Sequence, residues 1–125
     1  MGLRRNNLSN IKPLEKVNFK ELKKLDLSCN QILHIDFLKN VKFQKLEELN
    51  LYGNKISCIN ALEKVNFREL KKLDLSFNNI SDMTVLEKVK FEKLEEFNLN
   101  KNKIDLTKNN LIISKLKSLL KNLTI

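Results

Sequence analysis

The sequence contains few of the residue types on which catalysis and metal binding usually depend. Its 125 residues include one histidine, two cysteines, two glycines and no tryptophan. Cys29 and Cys58 are too few for the disulfide framework of a small secreted domain, and His34 has no partner at a metal-ligating spacing. Two glycines cannot build a glycine-rich loop for phosphate. We therefore expect no enzyme, no metal site and no cofactor.

Long apolar runs are also missing from the chain. No stretch approaches the ~20 apolar residues that a transmembrane helix needs. The beginning, MGLRRNNLSN, is basic and lacks the apolar core of a secretory signal. A hydrophobic content of 42% with 31% charged residues is ordinary for a globular chain and excludes a disordered one. We predict a single domain in the cytoplasm.

The chain repeats itself with a period of 24 residues. Four consecutive units open on the same residue type, at Leu14, Leu38, Leu62 and Leu86. A phenylalanine column and an asparagine column run through every unit, as Phe19, Phe43, Phe67 and Phe91 and as Asn30, Asn54, Asn78 and Asn102. A fixed period of this kind is typical of stacked repeats, in which each unit buries its apolar side against its neighbours.

Each unit also contains the alternation typical of a short strand with one buried side. Leu25 and Leu27 alternate with Lys24, Asp26 and Ser28. Because every unit runs this strand in the same direction, stacking predicts parallel strand pairs. We expect the asparagine amides to satisfy backbone groups of the turn after the strand, and the phenylalanine rings to stack in the interior.

The sequence resembles the leucine-rich repeat signature in the pattern Leu22-x-x-Leu25-x-Leu27-x-x-Asn30-x-Ile32, which recurs from Leu46, Leu70 and Leu94. The return path of each unit is similar to the short-repeat class of internalins and of a regulatory subunit of protein phosphatase 1, with about two extra residues around the Val-x-Phe segment. The resemblance implies an α/β fold, a right-handed leucine-rich repeat solenoid of about four coils with parallel concave strands.

Charges alternate in sign between neighbouring units. Positions across the predicted strands read Lys24, Glu48, Lys72, Glu96 in one row, Lys23, Glu47, Lys71, Glu95 in a second, and Glu21, Lys45, Glu69, Lys93 in a third. At a strand spacing of ~4.8 Å, alternating rows attract by ~0.2–1 kcal/mol for each exposed pair. We interpret these rows as a self-paired surface.

The net charge of +9 points to nucleic acid only if it lies on the strands. Residues 1–13 carry +3, residues 14–100 carry +1 and residues 101–125 carry +5. The excess therefore lies at the ends, and the three arginines among 24 basic residues disfavour bidentate phosphate recognition. Nucleic-acid binding is disfavoured on both grounds.

The end of the chain predicts a helical cap. We assign residues 1–107 to the solenoid, with residues 1–13 as a partial first coil, and residues 108–125 to a capping helix that begins after Thr107. The predicted apolar stripe of this helix comprises Ile112, Ile113, Leu116, Leu119, Leu120 and Leu123. A basic amphipathic helix for a membrane surface or a partner groove is the alternative.

The beginning of the chain predicts an open sheet edge. No amphipathic cap precedes the first strand at residues 22–27, and Leu3 is all that remains of an earlier strand. Unpaired edges are templates for pairing with another chain. We therefore hypothesise a homodimer through this edge.

The resemblance implies that partners contact the concave sheet, at outward and strand-end positions. These are Asp26, Ser28, Cys29, Asn50, Tyr52, Gly53, Asp74, Ser76, Phe77, Asn98, Asn100 and Lys101. Tyr52 and Phe77 stand out, because exposed aromatic residues are enriched among binding hot spots. Contact between the two rings across neighbouring coils is an equally open interpretation.

The predicted function is that of a non-catalytic scaffold that binds a protein partner on its concave face. Four short strands give that face only ~300 Å², whereas a standard interface takes ~800 Å² from each partner. The flanks, a dimer or a larger array must then supply the rest. The alternative function is a self-associating structural or membrane-surface module that works through the open N-terminal edge and the basic C-terminal helix. Membrane contact is disfavoured.

Overall fold

Each unit of the repeat forms one coil, with a three-residue strand on one side and a short 3₁₀ helix on the return path. The structure, a computed structural model, describes all 125 residues. Strands β1 to β4 span Lys24–Asp26, Glu48–Asn50, Lys72–Asp74 and Glu96–Asn98. The 3₁₀ helices span Lys12–Lys16, Asp36–Lys39, Asn60–Lys64 and Thr84–Glu87. The predicted leucine-rich repeat solenoid is confirmed.

The strands form one parallel sheet in chain order. Lys24 pairs with Glu48, Glu48 with Lys72 and Lys72 with Glu96, so the register repeats the 24-residue period of the sequence. A fifth strand, β5 (Asn122–Thr124), extends the sheet parallel to β4. It pairs Asn122 with Glu96, a separation of 26 residues, and therefore lies outside the repeat.

The core is one continuous stack of apolar side chains from successive coils. The leucines and isoleucines that point inward from the strands and turns are almost fully buried, and 32 hydrophobic residues form a single cluster. The rings of Phe19 and Phe43 stack at 5.7 Å between centroids, and those of Phe43 and Phe67 at 6.1 Å. Phe91 leaves this stack and meets the edge of Phe97, which replaces a leucine in the last coil. The expected ring stack is therefore confirmed for three coils.

The asparagine column satisfies buried backbone groups, as the sequence predicts. The side-chain amide of Asn54 donates to the carbonyl groups of Leu51 in its own coil, at 3.0 Å, and of Leu27 in the preceding coil, at 3.1 Å. Its Oδ1 atom accepts the N–H of Ile32 at 3.1 Å. Asn30, Asn78 and Asn102 make equivalent bonds, so the column ties each turn to the one before it.

The C-terminal cap is shorter than the sequence predicts. Helix α1 spans Asn110–Leu119, and its N-terminal boundary is Asn109 with no side-chain cap. Thr107 does not cap the helix, because the Asp105 carboxylate accepts its N–H at 3.0 Å and holds it in the preceding turn. No helix is both long enough and apolar enough to cross a membrane.

The predicted apolar stripe of the cap is correct for four of its six members. Ile112, Ile113, Leu116 and Leu120 are buried. Leu119 is 68% exposed, because the helix ends there and the chain becomes extended at Leu120. Leu123 belongs to β5, where it pairs with Phe97. The assignment of residues 108–125 to a single helix is therefore wrong for its last six residues.

The N-terminal edge of β1 is covered by the first residues of the chain. Gly2 bridges Asp26 in parallel, the Asp26 N–H donates to the carbonyl of Met1 at 2.9 Å, and the Leu3 N–H donates to Asp26 at 2.7 Å. The expectation of an unpaired edge at residues 22–27 is wrong. Gly2 lies 24 residues before Asp26, so this segment continues the register of the repeat as a rudimentary strand.

Candidate interaction surface

The side chains that point outward from β1 to β5 form an exposed surface, which we call the sheet face. No helix covers it. Between β2 and β5 it encloses a shallow depression of about 530 Å³, lined by the outward residues Glu48, Asn50, Lys72, Asp74, Glu96, Asn98, Asn122 and Thr124. Eight of the eleven lining residues are polar or charged, so the depression can hold polar groups.

The charges at the strand entries are paired across coils. Lys24 lies 2.8 Å from Glu48, and Lys72 lies 2.9 Å from Glu96. The hydrogen bond to Glu96 raises the pKa of Lys72. These are the alternating rows of the sequence, and most of their charge is compensated within the protein.

Glu47 is shared between two coils. Its carboxylate lies 2.9 Å from Nζ of Lys71 and 3.7 Å from Nζ of Lys23. The hydrogen bond with Lys71 lowers the pKa of Glu47 and raises the pKa of Lys71. Lys121 continues the row beyond the repeat, at 3.3 Å from Glu95. The sequence comparison missed Lys121, because it follows Glu95 by 26 residues and not by 24.

Four of the predicted contact residues hold the turn that follows each strand. The side-chain oxygens of Asp26, Asn50, Asp74 and Asn98 each accept the backbone N–H two residues later, at 2.9–3.1 Å. These four side chains are half-buried, so each also presents a polar edge to solvent. Their residue types are those that favour such turns.

The remaining predicted contact residues divide by exposure. Ser28 and Ser76 are each only 2% exposed, which removes them from the accessible part of the predicted set. Asn100 and Tyr52 are half-buried, and Lys101 is exposed. The ring of Phe77 is 48% exposed and lies 5.2 Å from the ring of Tyr52, tilted by 58°. The two aromatic residues therefore contact each other and still present Phe77 to solvent.

One column of backbone conformation was not foreseen from the sequence. Equivalent residues of successive turns lie in the left-handed region, with φ between 54° and 65°: Arg5, Cys29, Gly53, Phe77 and Lys101. Asn7, in the first of these turns, also has a positive φ, of 55°. Only glycine adopts this conformation without cost, and other residues lose about 1–2 kcal/mol. Gly53 is the only residue of the column whose type indicates this conformation, because glycine adopts positive φ readily. It occupies the same place in its unit as Phe77 does in the next.

The turns that carry this column form a second surface beside the sheet face, which we call the post-strand ridge. It comprises residues 3–7, 27–31, 51–55, 75–79 and 99–103. Backbone hydrogen bonds join it from coil to coil: the N–H of Cys29 donates to Tyr52 at 2.8 Å and the N–H of Phe77 to Asn100 at 2.9 Å. The ridge is therefore a fixed part of the stack and not a set of loose loops.

No group of three or more histidine, cysteine, aspartate or glutamate side chains is arranged to hold a metal ion. Both cysteines are free thiols, and Cys58 is exposed on the return path of its coil. The chemistry that the two surfaces offer is hydrogen bonding, charge and aromatic contact.

Comparison with known proteins identifies the same repeat. A family model described as leucine rich repeat matches residues 20–80. No curated protein matches the chain. Among the solved structures, an internalin (InlF) from Listeria monocytogenes is similar with a TM-score of 0.72 and 28% sequence identity, over 94% of this chain and 32% of the internalin. The chain thus spans about a third of the length of that internalin.

Proposed function

We propose that this chain, whose residues 20–80 match a leucine rich repeat family model and whose fold is similar to that of an internalin, is a non-catalytic scaffold that binds a protein partner. The binding surface is the sheet face together with the adjoining ring pair Tyr52 and Phe77. Solenoids of stacked repeats commonly bind partners on the extended surface that their coils create. The proposal places this activity in the cytoplasm, because Cys29 and Cys58 are both free thiols.

The exposed ring of Phe77 is the observation that carries the proposal. A phenylalanine that is 48% exposed and held in a left-handed turn has two costs, because its apolar surface faces water and its backbone is strained. The core does not need this ring, since Gly53 occupies the same position in the preceding coil. Contact with a partner would bury it and offset the first cost.

The area of the surface sets the extent of the site. Five strands of three residues give roughly 240 Å², well short of the ~800 Å² that a standard interface takes from each partner. The proposed site therefore includes Asp26, Asn50, Asp74 and Asn98 on the sheet face and Tyr52, Phe77, Asn100 and Lys101 on the ridge.

The self-associating or membrane-surface alternative has weaker support. It requires an open edge at β1 and a free apolar stripe on α1. Residues 1–5 cover that edge, and Ile112, Ile113 and Leu116 pack against the last coil. Leu111 and Leu119 are the only apolar residues of the helix that remain exposed.

A capture experiment with a paired substitution tests the proposal. The immobilised chain is incubated with a lysate of the cells that produce it, and retained proteins are identified by mass spectrometry. We expect Tyr52→Ala/Phe77→Ala to lose the retained partner without a change of oligomeric state in light scattering. The control, Val17→Ala/Leu33→Ala, removes two comparably exposed apolar side chains elsewhere and should retain it. Equal capture by both variants would contradict the proposal.

A further inference from the structure

Three of the five columns of the post-strand ridge vary from coil to coil, and the left-handed column varies most. Within it, the leucine column and the asparagine column are invariant from coil to coil. The left-handed column between them reads Arg5, Cys29, Gly53, Phe77 and Lys101, with no two residues alike. Folding alone favours glycine at every one of these positions. The side chains that replace it are therefore candidates for recognition.

The charge of the ridge has one sign. Its 25 positions contain five cationic residues, Arg4, Arg5, Lys55, Lys101 and Lys103, and no aspartate or glutamate. All five are exposed, and none takes part in an ion pair. The strand entries differ, because there most cations meet a carboxylate of a neighbouring coil. The ridge therefore presents uncompensated positive charge beside a self-paired face.

The cations lie mainly at the two ends of the ridge, and the aromatic pair lies between them. Arg4 and Arg5 occupy the first coil, and Lys101 and Lys103 the last. The ends are four coils apart, which corresponds to about 19 Å at a strand spacing of ~4.8 Å. An extended peptide rises ~3.3 Å per residue, so about six residues span this distance.

We propose that the post-strand ridge binds an extended acidic peptide segment that runs across the coils. Carboxylates about six residues apart would meet the arginine end and the lysine end, and an apolar or aromatic side chain between them would cover Tyr52 and Phe77. The inference rests on the proposed function and adds the chemistry of the partner. It applies to the ridge and leaves open what contacts the sheet face.

The distribution of charge favours a peptide over a nucleic acid. A phosphate backbone carries charge at every nucleotide and needs cations along its whole track. The three middle coils of the ridge contain a single cation, Lys55, and their left-handed residues are the uncharged Cys29, Gly53 and Phe77. A ligand with charge at both ends and an apolar group between them matches this arrangement.

Selection from a random peptide library tests the inference directly. Twelve-residue peptides displayed on phage are selected on the full chain, and clones that also bind Lys101→Gln/Lys103→Gln are removed. We expect the enriched peptides to contain acidic residues on both sides of an aromatic or large aliphatic residue. Enrichment of neutral or basic peptides, or no enrichment, would overturn the inference.

Binding of one enriched peptide, labelled with fluorescein, then locates the site. Fluorescence anisotropy should show a loss of about tenfold in affinity for Lys101→Gln/Lys103→Gln and for Arg4→Gln/Arg5→Gln, and a further loss when salt is raised from 0.15 to 0.5 M. Phe77→Ser should weaken binding as well. The control Lys64→Gln/Lys90→Gln removes two exposed, unpaired lysines from the opposite edge of the coils and should change affinity less than twofold.

Two results would overturn the inference at this stage. One is an equal loss of affinity in the control variant, which would mean that peptide binding depends only on the net charge of the protein. The other is displacement of the peptide by a single-stranded oligonucleotide that shows the same dependence on Lys101 and Lys103, which would assign the ridge to nucleic acid. Neither result affects the proposed function, because that depends on capture of a protein through Tyr52 and Phe77. If Tyr52→Ala/Phe77→Ala loses the captured protein and the peptide test fails, the proposed function as a binding scaffold stands. Only the inference of an acidic peptide ligand is then contradicted.

Discussion

At the scale of single residues, the left-handed column shows how the repeat tolerates strain. Gly53 adopts φ of 65° without cost, whereas Lys101 adopts 57° with a β-carbon. A β-carbon at Gly53 would lie 3.6 Å from Sγ of Cys29, an ordinary contact distance. The penalty for a side chain there is therefore a property of the backbone and not of the space around it.

Exchanging residues within this column predicts opposite changes in stability. We expect Gly53→Ala to lower the free energy of unfolding by about 1 kcal/mol, and Lys101→Gly to raise it by about the same amount, because only glycine is unstrained there. Urea unfolding followed by circular dichroism measures both. A change of the same sign in the two variants would contradict the assignment of strain.

The asparagine column predicts a larger effect. Asn54→Ala leaves the buried N–H of Ile32 without an acceptor and removes one of the two amide donors from each of the buried carbonyl groups of Leu27 and Leu51, so we expect a loss of about 2–4 kcal/mol in the free energy of unfolding. Asn50→Ala is the matched control. It removes an amide that accepts a single bond, from the N–H of Tyr52, in a half-buried turn. The control should cost about 1 kcal/mol or less, and equal losses in the two variants would be inconsistent with the role of Asn54.

Individual residues also mark the limit of prediction from the sequence. The asparagine roles followed from their spacing, because a buried amide after every strand has few other uses. The burial of Ser28 and Ser76 did not, since alternation along a strand places them on the outward side. The turn begins at these serines, and the period of two no longer holds there. Contact between Tyr52 and Phe77 was one of two open interpretations, and the structure shows it together with the exposure of Phe77.

At the scale of elements, the sheet is stabilised laterally by the alternating charges at the strand entries. The carboxylate of Glu47 stands between Lys23 and Lys71, which join three successive coils. Like charges at this spacing would repel. In the sequence, the sign of the charge at these positions alternates from one 24-residue unit to the next, and this alternation avoids such repulsion.

Removal of Glu47 predicts a stability difference that depends on pH. We expect Glu47→Gln to unfold at lower urea concentration than the unsubstituted chain at pH 7 and low salt. Because the folded pKa of Glu47 is lowered below its ordinary value of 4.5, this difference should be complete above that value and vanish as pH falls through the folded pKa. The raised pKa of Lys71 sets the upper end of the pH range in which the pair stabilises the fold. The stabilisation from the charged Lys71 is lost only as pH rises through that raised pKa.

The control for this prediction is another exposed glutamate. Glu92 forms no ion pair or side-chain hydrogen bond, so Glu92→Gln should show no such loss at pH 7. The unfolding midpoints are measured between pH 2 and 8 at low and high salt, where screening weakens exposed pairs. A difference for Glu47→Gln that stays constant down to the acid limit would contradict the ion-pair interpretation.

Elements at the two ends could not be derived from the repeat alone. The period of 24 predicted β1 to β4 in their observed register, because residues that recur at a fixed interval occupy equivalent places in stacked coils. Strand β5 has no counterpart in the period, and the apolar spacing through Leu123 fitted a longer helix equally well. At the other end, Met1 to Leu3 contain one leucine and no strand-like alternation, yet the open hydrogen-bonding groups of β1 hold them in register.

At the scale of the whole molecule, stacking separates surfaces of different chemistry. The interior is a single apolar stack, the strand entries compensate their own charge, and the post-strand ridge keeps five cations without carboxylate partners. Such a division was accessible from the sequence in part: the neutral body and the charged ends were evident from residue counts. The ridge was not, because its identity depends on the left-handed turns that bring distant residues into one line.

We propose that a partner contacts the sheet face and the post-strand ridge of the stacked coils. Amide chemical-shift mapping by NMR of the ¹⁵N-labelled chain, titrated with the captured partner, tests it most directly. We predict the largest shifts at Tyr52, Gly53, Phe77 and Lys101, with the 3₁₀ helices of the return path unaffected. Shifts concentrated in α1 or around the first 3₁₀ helix, Lys12–Lys16, would contradict the claim.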